Sequence, residues 1–196
     1  MKTKSNTKIM TECAILVALS VVLSLVKVWQ MPLGGAITLV SMLPVCVASL
    51  RHGLKWGFLS SCLYALVQLF FGITMDGLLG WGLTASMLVG CMMFDYVVAF
   101  TVLGIAGIFR NKGQIGADAG IVLAMVLRFV SHFISGYVIF TNLEQWELFG
   151  SVFEGSPALY SICYNGMYML PELIFTVVVF ELLYNTPMKK FLSAQE

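Results

Sequence analysis

Two ionisable side chains lie one helical turn apart in an otherwise apolar stretch of the sequence. Arg128 and His132 both fall in the run AMVLRFVSHFISGYVIF (124–140). Ionisable residues in such segments are costly, and as a rule they face a protein interior or a water-filled cavity. A guanidinium only donates hydrogen bonds, whereas an imidazole can donate and accept. The same helical face also carries Ser131, Ser135, Gly136 and, at its edge, Phe140. The face therefore indicates a polar site inside an apolar protein.

Further polar and aromatic residues occur in two other apolar stretches. They are Asp95 in an earlier stretch and Tyr160, Tyr164, Asn165 and Glu172 in a later one. Tyrosine faces attract a cation or a flat ring, and Asp95 supplies a counter-charge. A cationic heteroaromatic vitamin fits this set better than a sugar or a lipid does.

A purely structural role is the alternative for each of these residues. Polar side chains in membrane helices often only bond neighbouring helices, and Arg128 with Glu172 could form a structural ion pair. The whole set exceeds what such a role requires, because burying many polar groups without use is costly. We therefore favour a ligand site.

The composition identifies the solvent around these residues. Hydrophobic residues make up 59% of the 196 residues and charged residues 11%, and the mean hydropathy is +0.91. A water-soluble fold of this length could not hide so much apolar surface. No linker, repeat or low-complexity tract divides the sequence. We therefore predict an integral membrane protein with a single domain, 1–196.

Six apolar segments predict an all-α fold with six transmembrane helices. The segments are 9–29, 38–50, 54–73, 83–109, 118–141 and 158–184. A span requires about 20 residues, so the second segment is short and the fourth and sixth are long. A transmembrane barrel would instead show segments of about ten residues with alternating polarity.

Basic residues indicate the orientation, since cytoplasmic segments carry an excess of Lys and Arg. With the N-terminus inside, nine of the eleven basic residues fall on the cytoplasmic side. They are Lys2, Lys4, Lys8, Arg51, Lys55, Arg110, Lys112, Lys189 and Lys190. Asp76, Glu144, Glu147 and Glu154 fall outside. We predict that both termini are cytoplasmic and that the cavity opens outward. A cleaved signal peptide is the alternative for the N-terminus, but the apolar run exceeds the typical ~7 to 15 residues and no cleavage site follows.

Several motifs of enzymes are absent from the sequence. There is no GxxxxGKS/T phosphate-binding loop, and no GxSxG or HExxH signature. The five cysteines show no CxxC spacing, and two histidines do not form a metal cluster. We therefore predict that the chain is not an enzyme and needs no metal or cofactor. Energy for uphill transport would come from a partner.

Five segments, in this order and spacing, resemble one known family. They are MPLGG (31–35), FDYVVAF (94–100), LGIAGIFR (103–110), LRFVSHFISG (127–136) and YSICYNGMYMLP (160–171). They resemble the thiamine-specific S component of energy-coupling factor (ECF) transporters over almost the whole chain. The resemblance implies a six-helix cell-membrane subunit that captures thiamine from outside with high affinity. It also implies partners, namely a transmembrane coupling subunit and two ATPase subunits.

The resemblance assigns ligand-binding residues position by position. The family's site positions match, in chain order, Asp95, Tyr96, Arg128, His132, Gly136, Tyr160 and Asn165. Phe140 and Tyr164 complete the predicted thiamine site by their place on the same faces. Some members have Glu where Asp95 stands, and Trp at the positions of Gly35 and Phe140. A shorter carboxylate and a smaller ring change the stacking geometry and leave the ligand class unchanged.

These residues suggest a division of roles. We expect Asp95 to offset the thiazolium charge and, with Asn165, to bond the aminopyrimidine. The rings would stack among Tyr160, Tyr164, Phe140 and His132. Arg128, a cation beside a cationic ligand, would orient Asp95 or Glu172 instead of contacting the charged ring.

Two further features concern movement and partners. MPLGGAIT (31–38) has the Pro and paired Gly typical of an irregular segment, so Gly34 and Gly35 mark a possible lid. Ala14 and Ala18 lie one turn apart on the first helix, where small residues permit close helix approach. The resemblance implies that this pair docks the coupling subunit, and packing within the fold is the alternative.

Three classes of function remain open at this point. The first is a thiamine-binding S component, and the second is an S component for another vitamin or a pyrimidine precursor. The third is a solitary secondary transporter or a membrane enzyme, in which Asp95 and His132 could act as acid and base. A solitary transporter often shows internal repeats with paired broken helices, and the sequence shows none convincing.

Overall fold

A computed structural model describes residues 6–140, 147–148, 151–152 and 156–192. In chain order its elements are α1 (Asn6–Leu25), β1 (Lys27–Gln30), β2 (Ala36–Thr38), α2 (Leu43–His52), α3 (Leu54–Thr74), α4 (85–112), α5 (Gly113–Val138), β3 (Glu147–Leu148), β4 (Ser151–Val152), α6 (Pro157–Tyr184) and α7 (Lys189–Leu192). The fold is helical, as predicted. Most of the expected outer loop 142–157 lies outside the described residues, as do Lys2, Lys4, Glu144 and Glu154.

Four helical runs in the described part of the chain are long and apolar enough to cross a membrane. They are Asn6–Leu25, Leu54–Thr74, Ala85–Val138 and Pro157–Tyr184. The third run has 54 residues, and it breaks at Gly113, whose φ of 66° and ψ of −150° are not helical. α4 and α5 are therefore two helices joined at one glycine, whereas the sequence predicted a polar gap between 109 and 118.

The second predicted segment, 38–50, differs most from the structure. Its first residue ends strand β2, and the helix begins only at Leu43, with Pro44 in its first turn. The resulting α2 has 10 residues, or about 15 Å of helix, which is half of the hydrocarbon core. All of α2 from Leu43 to Arg51 is buried among the other helices. A buried short helix is indistinguishable from a short span by hydrophobicity alone.

α4 changes its helical form along its length. It is α-helical over Ala85–Cys91, π-helical over Met92–Val98, α-helical again over Ala99–Thr101 and 3₁₀-helical over Val102–Lys112. The π-helical segment contains Asp95. Single π-turns recur at functional sites because they rotate side chains away from their α-helical directions.

Glycines allow α2, α4 and α5 to pack backbone against backbone. A Cβ added at Gly120 of α5 would lie 1.9 Å from the carbonyl oxygen of Ala106 in α4. One added at Gly107 would lie 2.3 Å from the carbonyl oxygen of Ser49 in α2. The Ser49 hydroxyl donates to the Gly104 carbonyl at 2.5 Å and accepts from the Gly107 N–H at 2.9 Å. This packing fixes α4 against its neighbours below the site.

Large apolar side chains cover the outside of the bundle. Ile15 is 63% exposed on α1, Leu66 is 54% exposed on α3 and Leu182 is 64% exposed on α6. Exposed apolar side chains on every long helix are typical of a lipid-facing surface. The buried polar residues described above face the opposite way, into the bundle.

Candidate functional site

A cavity lies between the helices and under the β1–β2 hairpin. Its lining includes every residue of the predicted ligand site: Asp95, Tyr96, Arg128, His132, Gly136, Phe140, Tyr160, Tyr164 and Asn165. The possible lid residues Gly34 and Gly35 also line it. The fold therefore brings residues from α4, α5, α6 and the hairpin to one place.

Asp95 is the centre of the polar wall. One carboxylate oxygen lies 2.8 Å from Nδ1 of His132, and the other accepts from the Ser135 hydroxyl at 2.5 Å and from the Cys91 thiol at 3.1 Å. Both oxygens act only as acceptors, as an ionised carboxylate does. The Asp95 side chain keeps 16% of its surface exposed, and that surface faces the cavity. A cation in the cavity would therefore meet a preorganised negative charge.

Nδ1 of His132 faces the Asp95 carboxylate, and because an ionised carboxylate only accepts, we assign the proton of their bond to Nδ1. With that tautomer, Nε2 of the neutral ring is a hydrogen-bond acceptor. This Nε2 is buried and has no hydrogen-bond partner among the described residues. Because Nε2 has less than 1 Å² of exposed surface, a donor on a ligand reaches it only after the cavity wall opens at His132. Ser131, one residue before, donates to the Phe94 carbonyl at 2.6 Å and ties α5 to the π-helical segment.

Three tyrosines form a ladder along α6. The rings of Tyr160 and Tyr164 stack at a centroid distance of 5.8 Å with 27° between their planes. Tyr168 meets Tyr164 edge-to-face at 6.0 Å and meets the His132 ring in the same manner at 6.1 Å. The 3.6-residue period of a helix places positions four apart on one face, so the ladder follows directly from the sequence spacing. The result is an aromatic wall opposite Asp95.

Asn165 is fully engaged by the protein. Its amide NH₂ donates to the Ser161 carbonyl at 2.9 Å and to the His132 carbonyl at 3.3 Å, and its oxygen accepts from the Tyr168 hydroxyl at 2.8 Å. Gly136 makes this contact possible, since a Cβ there would lie 2.3 Å from the Ser161 hydroxyl. Asn165 therefore joins α6 to α5 and orients Tyr168, in addition to lining the cavity.

The expected role of Arg128 is wrong in this structure. Within the described residues no carboxylate lies in ion-pair distance of its guanidinium, which instead contacts the Met42 sulfur at 2.9 Å. The guanidinium carbon lies 4.6 Å from the centre of the Phe100 ring. Arg128 is 5% exposed and forms part of the cavity lining. The Arg128–Glu172 ion pair is absent because Glu172 binds Thr38 instead.

The hairpin covers the cavity from the outside. Its tip bends through Leu33 and Gly34, whose φ values are 60° and 89°, and the Met31 N–H bonds the Gly35 carbonyl at 2.6 Å. The Gly35 N–H reaches the Tyr164 hydroxyl at 3.4 Å. On strand β1, Lys27 forms an ion pair with Asp76. The Asp76 carboxylate also accepts from the Gln30 side chain at 3.2 Å. These contacts hold the hairpin over the Asp95 wall.

The Trp81 indole also lines the cavity, although the sequence did not predict it as a site residue. Trp81 follows the turn Leu78–Gly80, lines the cavity and packs against Phe140 with ring centroids 6.5 Å apart. A Cβ on Gly34 would lie 3.0 Å from the Trp81 ring, and one on Gly35 would lie 2.9 Å from the Tyr168 ring. The two glycines therefore let the hairpin lie flat on aromatic rings. Some family members carry Trp at the position of Phe140. In this protein Trp81 provides the large ring beside Phe140.

Other lining residues were also missed. They are Ser24, Thr38, Ser41, Met42, Tyr64, Gln68, Phe100 and Ser161. Single Ser, Thr and Gln residues in apolar runs carry no periodic signal. Only their position in the folded chain reveals them.

The alanine pair lies away from the cavity. Ala14 and Ala18 are exposed on α1, next to Ile15 and Leu19, which are 63% and 46% exposed. The opposite face of α1, with Cys13, Leu16 and Val17, is buried in the bundle. The pair is therefore not used for packing between the described parts of this chain.

Comparisons with known proteins agree on one family. The family model described as thiamine transporter protein (Thia_YuaJ) matches residues 10–192. The chain is 31% identical over 190 residues to the thiamine transporter ThiT of Bacillus subtilis (strain 168), covering 89% of each chain. Its fold is similar to the solved structure of ThiT from Listeria monocytogenes, with a TM-score of 0.72, 21% identity, and coverage of 96% of this chain and 98% of that one.

Proposed function

The chain belongs to the thiamine transporter protein family, and from that premise we propose that it is the thiamine-binding S component of an ECF-type importer. The family is one of transporters and not of enzymes, and the chain is a multi-pass cell-membrane protein. In the proposed function the chain captures thiamine from outside. A coupling subunit and two ATPase subunits then supply the energy for its release into the cell.

One observation carries the proposal: Asp95 presents a carboxylate to a cavity rich in aromatic rings. The charged side chains in the cavity wall are Lys27, Asp76, Asp95 and Arg128, and Glu172 lies directly behind it. With these three acids and two bases ionised and His132 neutral, the site carries one negative charge. Thiamine carries one fixed positive charge on its thiazolium ring, so the bound state would be electrically balanced. Burying a cation without such a partner is strongly unfavourable.

The remaining walls suit the two flat rings of thiamine. Tyr160 and Tyr164 offer ring faces, and Phe140 with Trp81 offers a second aromatic surface. Aromatic faces attract a cationic ring through their quadrupole. In this arrangement Asn165 supports the pocket by holding Tyr168 and α5.

The orphaned Nε2 of His132 suggests how the amino group of the pyrimidine is recognised. We expect wild-type protein to bind oxythiamine, which lacks that amino donor, about 10- to 100-fold more weakly than thiamine, because a buried acceptor is left unpaired. In His132→Leu the two ligands should bind within about threefold of each other, since the acceptor is gone. Isothermal titration of each protein with each ligand measures the ratio. An unchanged preference in His132→Leu would assign the amino group to another residue.

The hairpin would act as the lid over bound ligand. In Gly35→Val the new side chain must displace the Tyr164 and Tyr168 rings, since even a Cβ lies 2.9 Å from Tyr168. We expect thiamine to dissociate about 10-fold faster or more, because overpacking costs roughly 1–3 kcal/mol. Stopped-flow tryptophan fluorescence measures the rate. Gly80→Val is the matched control, since a Cβ there meets nothing within 4 Å. Equal dissociation rates in both variants would show that the hairpin is not a lid.

The exposed face of α1 is the proposed contact with the coupling subunit. Ala14 and Ala18 leave a shallow surface, and small residues let two helices approach closely in lipid. We expect thiamine uptake by cells to require the partner module, and Ala14→Leu with Ala18→Leu to abolish uptake while leaving thiamine binding intact.

Isothermal titration of the purified, detergent-solubilised chain with thiamine is the central experiment. Nanomolar binding by the chain alone supports the proposal. Absence of thiamine binding together with binding of riboflavin or biotin would move the chain to another vitamin. Uptake by cells that lack the ATPase subunits would instead indicate a solitary transporter.

A further inference from the structure

Glu172 is a buried acid with both oxygens engaged by one residue of the hairpin. It is 1% exposed in the middle of α6. One carboxylate oxygen accepts from the Thr38 N–H at 2.7 Å, and the other accepts from the Thr38 hydroxyl at 2.6 Å. Charge-assisted bonds of this length are stronger than neutral ones. Both hydrogen bonds from the end of strand β2 to α6 therefore go to one side chain, beside the apolar packing of Ile37 on the same helix.

Thr38 is also the third member of a chain of hydroxyl groups. The Tyr64 hydroxyl donates to Ser41 at 3.1 Å, and the Ser41 and Thr38 hydroxyls lie 2.7 Å apart. Because Thr38 donates its proton to Glu172, Ser41 must donate to Thr38. Each hydroxyl then donates to the next, and the last donates to the Glu172 carboxylate. Aligned hydrogen bonds of this kind polarise and strengthen one another.

This row of hydrogen bonds connects four parts of the polypeptide around the cavity. Tyr64 belongs to α3, Ser41 precedes α2, Thr38 ends β2 and Glu172 belongs to α6. The three hydroxyl residues line the cavity, whereas Glu172 is not among the described residues that do. Glu172 therefore acts on the cavity through Thr38, from behind the wall.

We propose that Glu172 is a positioning residue, which fixes the base of the hairpin so that β2 forms a rigid wall and only the tip at 31–35 moves. The hydrogen bond from the tip to α6 is weaker, at 3.4 Å between Gly35 and Tyr164, and the rest of this contact is apolar packing of Met31 on α6. A fixed base preorganises the bound arrangement, which slows ligand release more than it speeds capture. The part of this inference that concerns release rests on the proposed thiamine function.

Amide hydrogen exchange in the ligand-free protein tests the attachment without any ligand. In Glu172→Gln only one oxygen can still accept, from the Thr38 N–H or from its hydroxyl, and neither bond is charge-assisted, so we expect exchange at Thr38 to rise about 10-fold. Thr38→Val keeps its N–H but loses the hydroxyl and should weaken the attachment, whereas Thr38→Ser should behave like wild type. Glu181→Gln is the matched control, since it makes the same change nine residues further along α6. Unchanged exchange in Glu172→Gln would overturn the proposal.

Stopped-flow kinetics with thiamine tests the consequence for the site. We expect dissociation to be about 10-fold faster in Glu172→Gln and in Thr38→Val, with association changed less than about threefold. The effects should be less than additive in the double variant, because both changes act on the same contact between Glu172 and Thr38. Additive effects, or loss in Glu172→Gln with wild-type behaviour of Thr38→Val, would show that Glu172 acts on the ligand directly. If wild type does not bind thiamine, the proposed function fails and the exchange experiment alone decides the attachment.

Discussion

Asp95→Asn should weaken thiamine binding by about 100- to 1,000-fold, because the buried partner of a charged group contributes about 2–5 kcal/mol. The substitution keeps the size of the side chain and an oxygen that can accept from Ser135. It removes the negative charge that the cavity presents to a cation. Isothermal titration gives the affinity, and thermal unfolding of the same sample shows whether the fold is intact. The fold should survive, since the lost charge faces the cavity and not the core.

Two controls separate charge from shape in this experiment. Asp95→Glu keeps the negative charge, and some members of the family carry Glu at this position. We therefore expect its affinity for thiamine to lie within about 10-fold of wild type. Thiochrome, a neutral oxidation product of thiamine, should bind wild type and Asp95→Asn with similar affinity. If Asp95→Asn binds thiamine within a few-fold of wild type, Asp95 is not the counter-charge.

The membrane fold and the family could be predicted from sequence because their signals are repeated along the chain. Long apolar helices recur, and five separate segments resemble one family; the family model and the Bacillus subtilis relative confirm that family. The all-α fold is confirmed by its similarity to the Listeria monocytogenes structure. The number of spans stays a prediction, since the buried α2 has only 10 residues.

The polar wall could be predicted because charge in an apolar helix is rare and costly. Asp95, His132 and Asn165 therefore stand out in the sequence, and the structure gathers them at one cavity. Their partners could not be predicted in the same way. Arg128 and Glu172 have opposite charges in neighbouring helices, so the sequence allows a structural ion pair as the alternative to a ligand site. The structure replaces it with two separate contacts, because the hairpin inserts Thr38 beside Glu172.

The helical form of α4 carries no clear signal in the sequence. The π-helical segment at Asp95 and the 3₁₀ segment after it arise where α4 must meet three other helices at once. Gly104 and Gly107 permit those contacts, with Ser49 bonding the backbone between them. Tertiary packing decides such local forms, and a single sequence does not report it.

Packing of α4 on α5 is what holds Asp95 against His132, and at Gly120 the two backbones approach closely. Gly120 lies 12 residues before His132, or about 18 Å along the helix, so it does not touch the cavity. A Cβ there would lie 1.9 Å from the Ala106 carbonyl oxygen. That oxygen belongs to the backbone of α4 and cannot rotate away as a side chain could. Any residue larger than glycine must therefore push the two helices apart.

Gly120→Ala should destabilise the protein by about 3 kcal/mol or more and lower its Tm by at least about 5 °C. Gly166→Ala makes the same change in helix α6, where a Cβ meets nothing within 4 Å. It should leave the Tm unchanged or raise it, since alanine is favoured over glycine in a helix by roughly 1 kcal/mol. Thermal unfolding in one detergent compares the two. Thiamine affinity of folded Gly120→Ala should fall less than about 10-fold, the reverse of Asp95→Asn, because the new methyl group lies far from the ligand. Equal Tm values for the two alanine variants would mean that α4 and α5 are not packed backbone to backbone at Gly120.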